Sequence, residues 1–383
     1  MPDWIGRLRG GGSNAPAERK QGGGGSFVSL SQLGAANWSG RGFASLVNQG
    51  FARNPVVYRC VRLIAETATR VPLVATDGDR RLGEHPLLDL LARPNGRQGG
   101  GEMLEAVFAY LQTAGNAYLQ GVMVDGAVRG LFVLRPDRMK VVADADGWPG
   151  AYDYTAGGRT VRLRQEGSPP PVLHIALFDP LDDHYGMAPL EAAQTSLDIH
   201  NAAAQWNKAL LDNAARPSGA LVYTAGGGNL TAEQFARLKE ELEANFSGAA
   251  NAGRPMLLEG GLDWRAMALS PRDMDFMEAK NAAARDIALA FGVPPMLLGI
   301  PGDNTYANLA EANRQFWRQT LIPLVVRVAE ELSGWLGPAF GGVRIVPDFD
   351  AVEALAEDRA ALWERVGGAG FLTDEEKRRM LGV

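Results

Sequence analysis

The sequence predicts an α+β fold, on three observations. Two apolar-rich runs fold back at two-residue turns, Asp125-Gly126 in "YLQGVMVDGAVRGLFVL" and Gly157-Gly158 in "AYDYTAGGRTVRLR". Asp-Gly and Gly-Gly supply the positive φ that a tight antiparallel hairpin needs. Helical periodicity precedes them, with Val57, Cys60, Val61, Ile64 and Ala68 on one face. A breaker-free helical stretch follows them, from Pro189 to Ala215. Strands in one region and helices in another give α+β rather than alternating α/β.

Taken in order, residues 1–26 carry "GGG" and "GGGG", the composition of a flexible linker, and residues 1–53 are expected to form a flexible N-terminal arm. Asn54 and Pro55 suit the cap and first position of a helix that Pro72 closes. A second helix reads from Glu102 to Ala114, with Leu104, Val107, Phe108 and Leu111 on one face. The two hairpins and "PVLHIALFD" (171–179) supply the antiparallel strands. Arg216-Pro217-Ser218-Gly219 stops the long helix. A small insertion then reads as strand "GALVYT", a helix from Ala232 to Phe246 with Thr231 and Gln234 in capping-box spacing, and a hairpin "PMLLEGGLDWRAMAL". Ser270-Pro271 and Asp273 open another helix that ends near Phe291. A polar loop leads to a helix from Asn308 to Leu336, which Pro323 should bend. "GGVRIVPDFD" (341–350) reads as a strand returning to the first sheet, and "AVEALAEDRAALWERV" as a last helix.

The chain has 383 residues, 46% hydrophobic and 21% charged, with a net charge of −6. That balance argues against a strong clamp on nucleic-acid phosphates, while leaving open a protein that meets DNA without gripping it. The single cysteine, Cys60, lies in an apolar helical pattern and reads as core. No run approaches the ~18 apolar residues of a membrane span.

Catalytic constellations are sparse. No phosphate-binding loop, H-E-x-x-H or C-x-x-C motif occurs, so no catalytic residue, metal site or cofactor is assigned. His85, His174, His184 and His200 are scattered, with His184 and His200 the pair that could meet in space. The paired acids Asp77/Asp79 and Asp144/Asp146 sit beside glycines and read as turns. Phe316, Trp317 and Trp335 read as packing residues.

The stretches "NPVVYRCVRLIAETATRVPL", "HPLLDLLARPN", "AGNAYLQ", "YGMAPLEAA", "ARPSGALVY", "LLEGGLDW" and "IALAFGVPPMLLG…NTYANLAEANRQFWRQTLIP" occur in order between Asn54 and Pro323. Together they resemble the portal proteins of tailed bacteriophages, in the compact long-tailed-phage form also found in prophages and gene transfer agents. The resemblance implies a wing formed first by 54–188, stem helices at 189–215 and 270–292, and a small α/β clip at 216–269. It further implies a tunnel loop at 293–308, a long kinked helix with a returning wing strand at 309–350, and a reduced crown at 351–383. It implies a structural, non-catalytic homo-oligomer: a ring, typically of twelve subunits, at one capsid vertex of a virion or virion-like particle. Assembly would take place in the bacterial cytoplasm, with no membrane partner. Double-stranded DNA would pass through without sequence readout. The implied partners are the large terminase motor, the head-tail adaptor and the major capsid protein.

On that resemblance, Gly302, Asp303, Asn304, Thr305 and Tyr306 would line the channel. Asp303 repeated around a ring would form an acidic collar that repels DNA, which carries one charge per about 1.7 Å of axis. Trp264 and Arg265 would face partners at the clip. Two other readings stay open on the residues alone. One is a metal-dependent hydrolase using Asp144, Asp146 and Asp182; the other is a monomeric adaptor acting through the insertion.

Overall fold

The structure is a computed structural model and describes residues 43–78, 80–212, 219–223, 231, 233, 236–237, 240, 262–266, 276–301 and 306–381. Helix α1 (Phe43–Gln49) buries Leu46, and the turn after it is tight: a Cβ on Gly50 would lie 2.8 Å from Leu190. Residues 43–51, expected in the arm, are therefore a packed element, with Leu46 and Gly50 buried. The short apolar set Phe43, Leu46 and Val47 was masked by the glycine-rich composition upstream.

Helix α2 (Pro55–Thr69) forms as expected. The Asn54 side chain accepts from the Val56 and Val57 amides, and Val57, Cys60, Val61, Ile64 and Ala68 are buried. Burial pushes the Cys60 thiol up to about 12, which leaves it inert. Strands β1 (Leu73–Asp77) and β2 (Arg80–Leu82) form a hairpin, and α3 (Pro86–Ala92) follows. Helix α4 (Gly100–Ala114) ends on Gly115 at φ 68 and packs beside α2.

Both predicted hairpins are present. β3 (Asn116–Val124) pairs with β4 (Ala127–Leu134) across Asp125 at φ 52 and Gly126 at φ 73. β6 (Pro149–Ala156) pairs with β7 (Arg159–Arg164) across Gly157 at φ 57 and Gly158 at φ 75. β5 (Met139–Ala143) adds to β6, and β8 (Val172–Ala176) adds to β3. The result is two three-stranded antiparallel sheets, ordered β4-β3-β8 and β5-β6-β7.

The breaker-free stretch from Pro189 divides at Ala193 into α5 (Pro189–Ala192) and α6 (Gln194–Asp212). In the insertion, β9 (Gly219–Tyr223) pairs with β10 (Leu262–Ala266), Trp264 opposite Leu221. The strand expected to hairpin within 255–269 thus pairs with the segment before the insertion's helix; "PMLLE" lies outside the described residues. Gln234, Ser270, Pro271 and Asp273 also lie outside them.

Helix α7 (Phe276–Ala290) packs against α6. Ser196 Oγ donates to Asp286 Oδ2 at 3.2 Å, and Asn207 Nδ2 meets Met277 Sδ at 3.9 Å. This register is antiparallel and sets residues 201–204 opposite about 279–282, so the two Asn-Ala-Ala-Ala stretches overlap without being level. Buried Ala203, Ala283 and Ala284 let the two backbones approach.

Helix α8 (Tyr306–Phe316) continues through a π-helical turn, Trp317–Leu321, into α9 (Ile322–Leu336). The sequence marked Pro323 as the bend. The structure absorbs it one turn earlier: proline lacks an N–H and crowds the carbonyl four residues before it, and the wider turn accommodates both, with Ile322 N–H on Trp317 O. Phe316, Trp317 and Trp335 are buried, as expected, and Trp335 Nε1 donates to Pro170 O at 2.7 Å. β11 (Arg344–Pro347) returns to pair with β1, forming the third sheet, β11-β1-β2. One core cluster therefore runs from Leu46 to Leu355. Helices α10 (Ala356–Gly367) and α11 (Asp374–Leu381) close the chain.

Candidate functional site

The candidate site is the joint between α7 and α8. Helix α7 stops in a left-handed cap: Gly292 lies at φ 65, its N–H reaches Leu289 O, and Val293 N–H reaches Ala288 O. Thr320 Oγ1, in the π turn, donates to Gly292 O at 2.6 Å. A short 3-10 turn, Pro295–Leu298, is capped the same way by Gly299 at φ 71 and Ile300 N–H on Pro295 O. Val293 and Ile300 are buried, and the Arg285 guanidinium donates to Pro301 O. So residues 293–301, expected to be free loop, are fixed, and α8 already begins at Tyr306.

Gly302, Asp303, Asn304 and Thr305 lie outside the described residues; Tyr306 is the first helical residue of α8. Trp264 and Arg265 are placed by backbone on β10, opposite Leu221 and Ala220. The helix that follows the loop is braced farther along by a group that no motif pointed to. Arg314 meets Glu311 and Glu357, while Arg318 meets Asp358 with both nitrogens, at 2.9 and 2.5 Å. The hydrogen bond to Asp358 pushes Arg318 up. The R-x-x-x-R spacing on one helix and the acids at the head of α10 were the available signal.

Two of the three carboxylates of the hydrolase reading, Asp144 and Asp182, serve their own turns. Asp144 Oδ1 accepts from Asp146 and Trp148 amides, and Asp182 Oδ1 from His184 and Tyr185 amides. Those amide bonds hold the Asp182 carboxyl below the usual range. Among the described residues no three His, Cys, Asp or Glu gather as a metal ion would require. No described helix is long and apolar enough to cross a membrane.

The histidines occupy structural junctions. Asn54 Nδ2 donates to His200 Nδ1 at 3.0 Å and to Asn201 Oδ1 at 2.8 Å, tying the head of α2 to α6. His174 lies stacked on Tyr118, with ring centroids 4.2 Å apart. Asn116 Oδ1 already accepts from the Gly186 amide, and its Nδ2 donates to the Ala114 and Gly186 carbonyls. The 2.9 Å contact therefore has His174 Nε2–H donating to Asn116 Oδ1, leaving Nδ1 to accept from Tyr152. Burial, with a smaller contribution from His184, lowers His174 to about 4.

That shift predicts a pH dependence. The unfolded imidazole titrates near 6.5, above the folded value of about 4, so the unfolded chain binds more protons between them. Stability is full above pH 6.5 and falls by about 3 kcal/mol on the way to pH 4. Urea unfolding from pH 7 to 4 should show this loss, and His174→Gln should flatten it. Equal slopes in both proteins would exclude His174 as the cause.

The family model described as phage portal protein matches residues 55–382. The chain belongs to that family. As a portal protein it has solved counterparts of high likeness. In the neck of an empty gene transfer agent (GTA) particle computed with C6 symmetry, a chain is 55% identical, with TM-score 0.72, covering 92% of this chain and 96% of that one. In the neck of the native GTA particle computed with C12 symmetry, a chain is 54% identical, with TM-score 0.70, covering 91% and 96%. The portal protein of Enterobacteria phage HK97 is 26% identical over 354 residues, covering 88% of this chain and 80% of that one. The role of this portal chain is at a capsid vertex.

Proposed function

We propose that copies of this portal chain close into a ring, typically of twelve, through which double-stranded DNA passes in packaging and ejection. The observation that carries this reading is the likeness, over nearly the whole chain, to a neck component resolved with C12 symmetry. In this reading α6 and α7 are the stem, and 216–269 is the clip, where Trp264 and Arg265 meet the large terminase motor and then the head-tail adaptor. The α2–β8 region with β11 is the wing, beside the major capsid protein, and 351–383 is a reduced crown. Subunits would assemble in the bacterial cytoplasm and end in the particle. The chain acts as a conduit and catalyses nothing; packaging energy comes from the motor.

The joint between α7 and α8 suits a channel constriction. The described residues before Gly302 are fixed by two left-handed caps and the Arg285–Pro301 bond, and the Arg314/Arg318 brace ties the helix after Thr305 to α10. Asp303 then supplies the repelling collar. Particle mass of about twelve times the 41.0 kDa chain is expected, with a central hole in micrographs. Asp303→Lys should keep the ring but reduce packaged DNA, most at low salt, because an added phosphate contact makes DNA stick. A monomer at micromolar concentration would overturn the ring, and normal packaging by Asp303→Lys would overturn the collar.

A further inference from the structure

We propose that the loop after β8 is one half of the contact between neighbouring copies of this chain, and that the aromatic, basic head of α2 is the other. The proposal rests on the ring reading. Phe178 is 79% exposed and Leu181 94% exposed, yet the loop that presents them is fixed. Asp179 Oδ1 accepts from the Leu181 amide at 2.8 Å, Asp182 holds the next turn, Tyr185 Oη accepts from Val141 N–H at 2.8 Å, and Gly186 N–H is bound by Asn116. A fixed loop that holds two large apolar side chains in water is pre-organised for a partner, because little ordering remains to be done on binding.

The surface continues from Phe178 onto α9, where Pro323 and Val326 line an open cleft of roughly 540 Å³ together with Arg327, Glu330 and Glu331, the Arg327 guanidinium donating to Ala176 O at 3.3 Å. With Asp179, Asp182 and Asp183 in the loop and Glu330 and Glu331 on α9, acids outnumber Arg327 on this face. The opposite character occurs at the head of α2. Tyr58 is 48% exposed against Phe51, ring centroids 5.1 Å apart, with Arg53 and Arg59 exposed beside it, Arg59 Nη1 lying 3.7 Å from Glu66 Oε2. A rotational ring needs two different, complementary patches on each subunit, set at one height along its axis. Both faces are tied to α6. The loop runs directly into α5 and α6, while Asn54 bonds His200 and Asn201, about 10 Å along α6 from its start at 1.5 Å per residue. Charge complementarity between them selects a second copy of the chain as the occupant.

The test uses the full chain and reads ring fraction against concentration by mass photometry, with thermal melting as the folding control. Leu181→Asp should leave melting of the subunit unchanged and raise the concentration for half-assembly about tenfold, the loss of one interface anchor. Asp183→Arg and Arg53→Asp should each weaken assembly, and the two together should restore most of it. Wild-type protein that forms no ring would remove the ring reading itself. A wild-type ring with all variants assembling alike would overturn this contact and leave the faces to another partner. Loss in Leu181→Asp with no rescue by the charge exchange would overturn the pairing with α2.

Discussion

Gly115→Val should abolish folding of the portal subunit, or destabilise it by roughly 4 kcal/mol or more. Two costs coincide at this position. Its φ of 68 excludes a β-branched side chain, and a Cβ would lie 2.2 Å from Gly186 O and 2.6 Å from Met187 C. The neighbours are backbone and cannot rotate away. Gly186 is equally constrained, since its own Cβ would lie 2.3 Å from Gly115 O and 2.5 Å from Leu177 N. Leu177 N–H donates to Gly115 O at 2.8 Å, so the end of α4, the start of β3 and the loop into α5 cross at one point. Gly126 is the control: it lies at φ 73 with nothing near its missing Cβ. Gly126→Asn should be neutral within about 0.5 kcal/mol, and Gly115→Asn should still fail. Soluble, cooperatively melting Gly115→Asn protein would show that the close approach is wrong.

Asn54→Ala should cost about 1 kcal/mol for the lost cap and about 1–3 kcal/mol more for the groups it abandons. Asn54 is 1% exposed and His200 5% exposed, so water cannot replace the lost donor. Asn201 Nδ2 also donates to Gln49 O at 3.0 Å, so the same junction holds the end of α1. Asn54→Asp separates the two contributions. A carboxylate still caps α2 but offers His200 Nδ1 no donor. It raises the folded pKa of that imidazole, which burial otherwise lowers. The variant should therefore be weak at pH 8 and recover as pH falls toward 6, where the imidazole protonates beside the carboxylate. Denaturant midpoints across that range decide it; full stability of Asn54→Asp at pH 8 would reduce Asn54 to a cap alone.

The elements legible in the sequence are those decided within a few residues. Asp125-Gly126 and Gly157-Gly158 specify their hairpins because positive φ is a local demand. Asn54-Pro55 specifies the start of α2 because its amides are capped from within the same turn. The periodic apolar sets of α2 and α4 specify their buried faces. The joint between α7 and α8 was legible as a turn-rich loop, and the ordered family stretches are what suggest a channel role for it.

Other features were decided only by distant contacts. Val293 and Ile300 are apolar residues in a proline-rich segment, and only packing against α7 shows that they are buried rather than loop. The π turn at Trp317–Leu321 answers a proline that a straight helix could not hold, and its place one turn earlier depends on the core that Trp317 and Leu321 enter. β10 pairs with β9, about forty residues earlier in the chain, because hairpin patterns identify strands but not all their partners. The Arg314 and Arg318 brace joins residues some forty positions apart, and Asn116 joins β3 to Gly186 across seventy. Side-chain hydrogen bonds of that separation leave no periodic trace. Sequence alone determined the antiparallel strands, the helix caps and the family, because these rest on local backbone demands and ordered motifs. Tertiary structure decided which polar groups meet and which apolar residues stay in water, because both depend on surfaces that exist only once the core has closed.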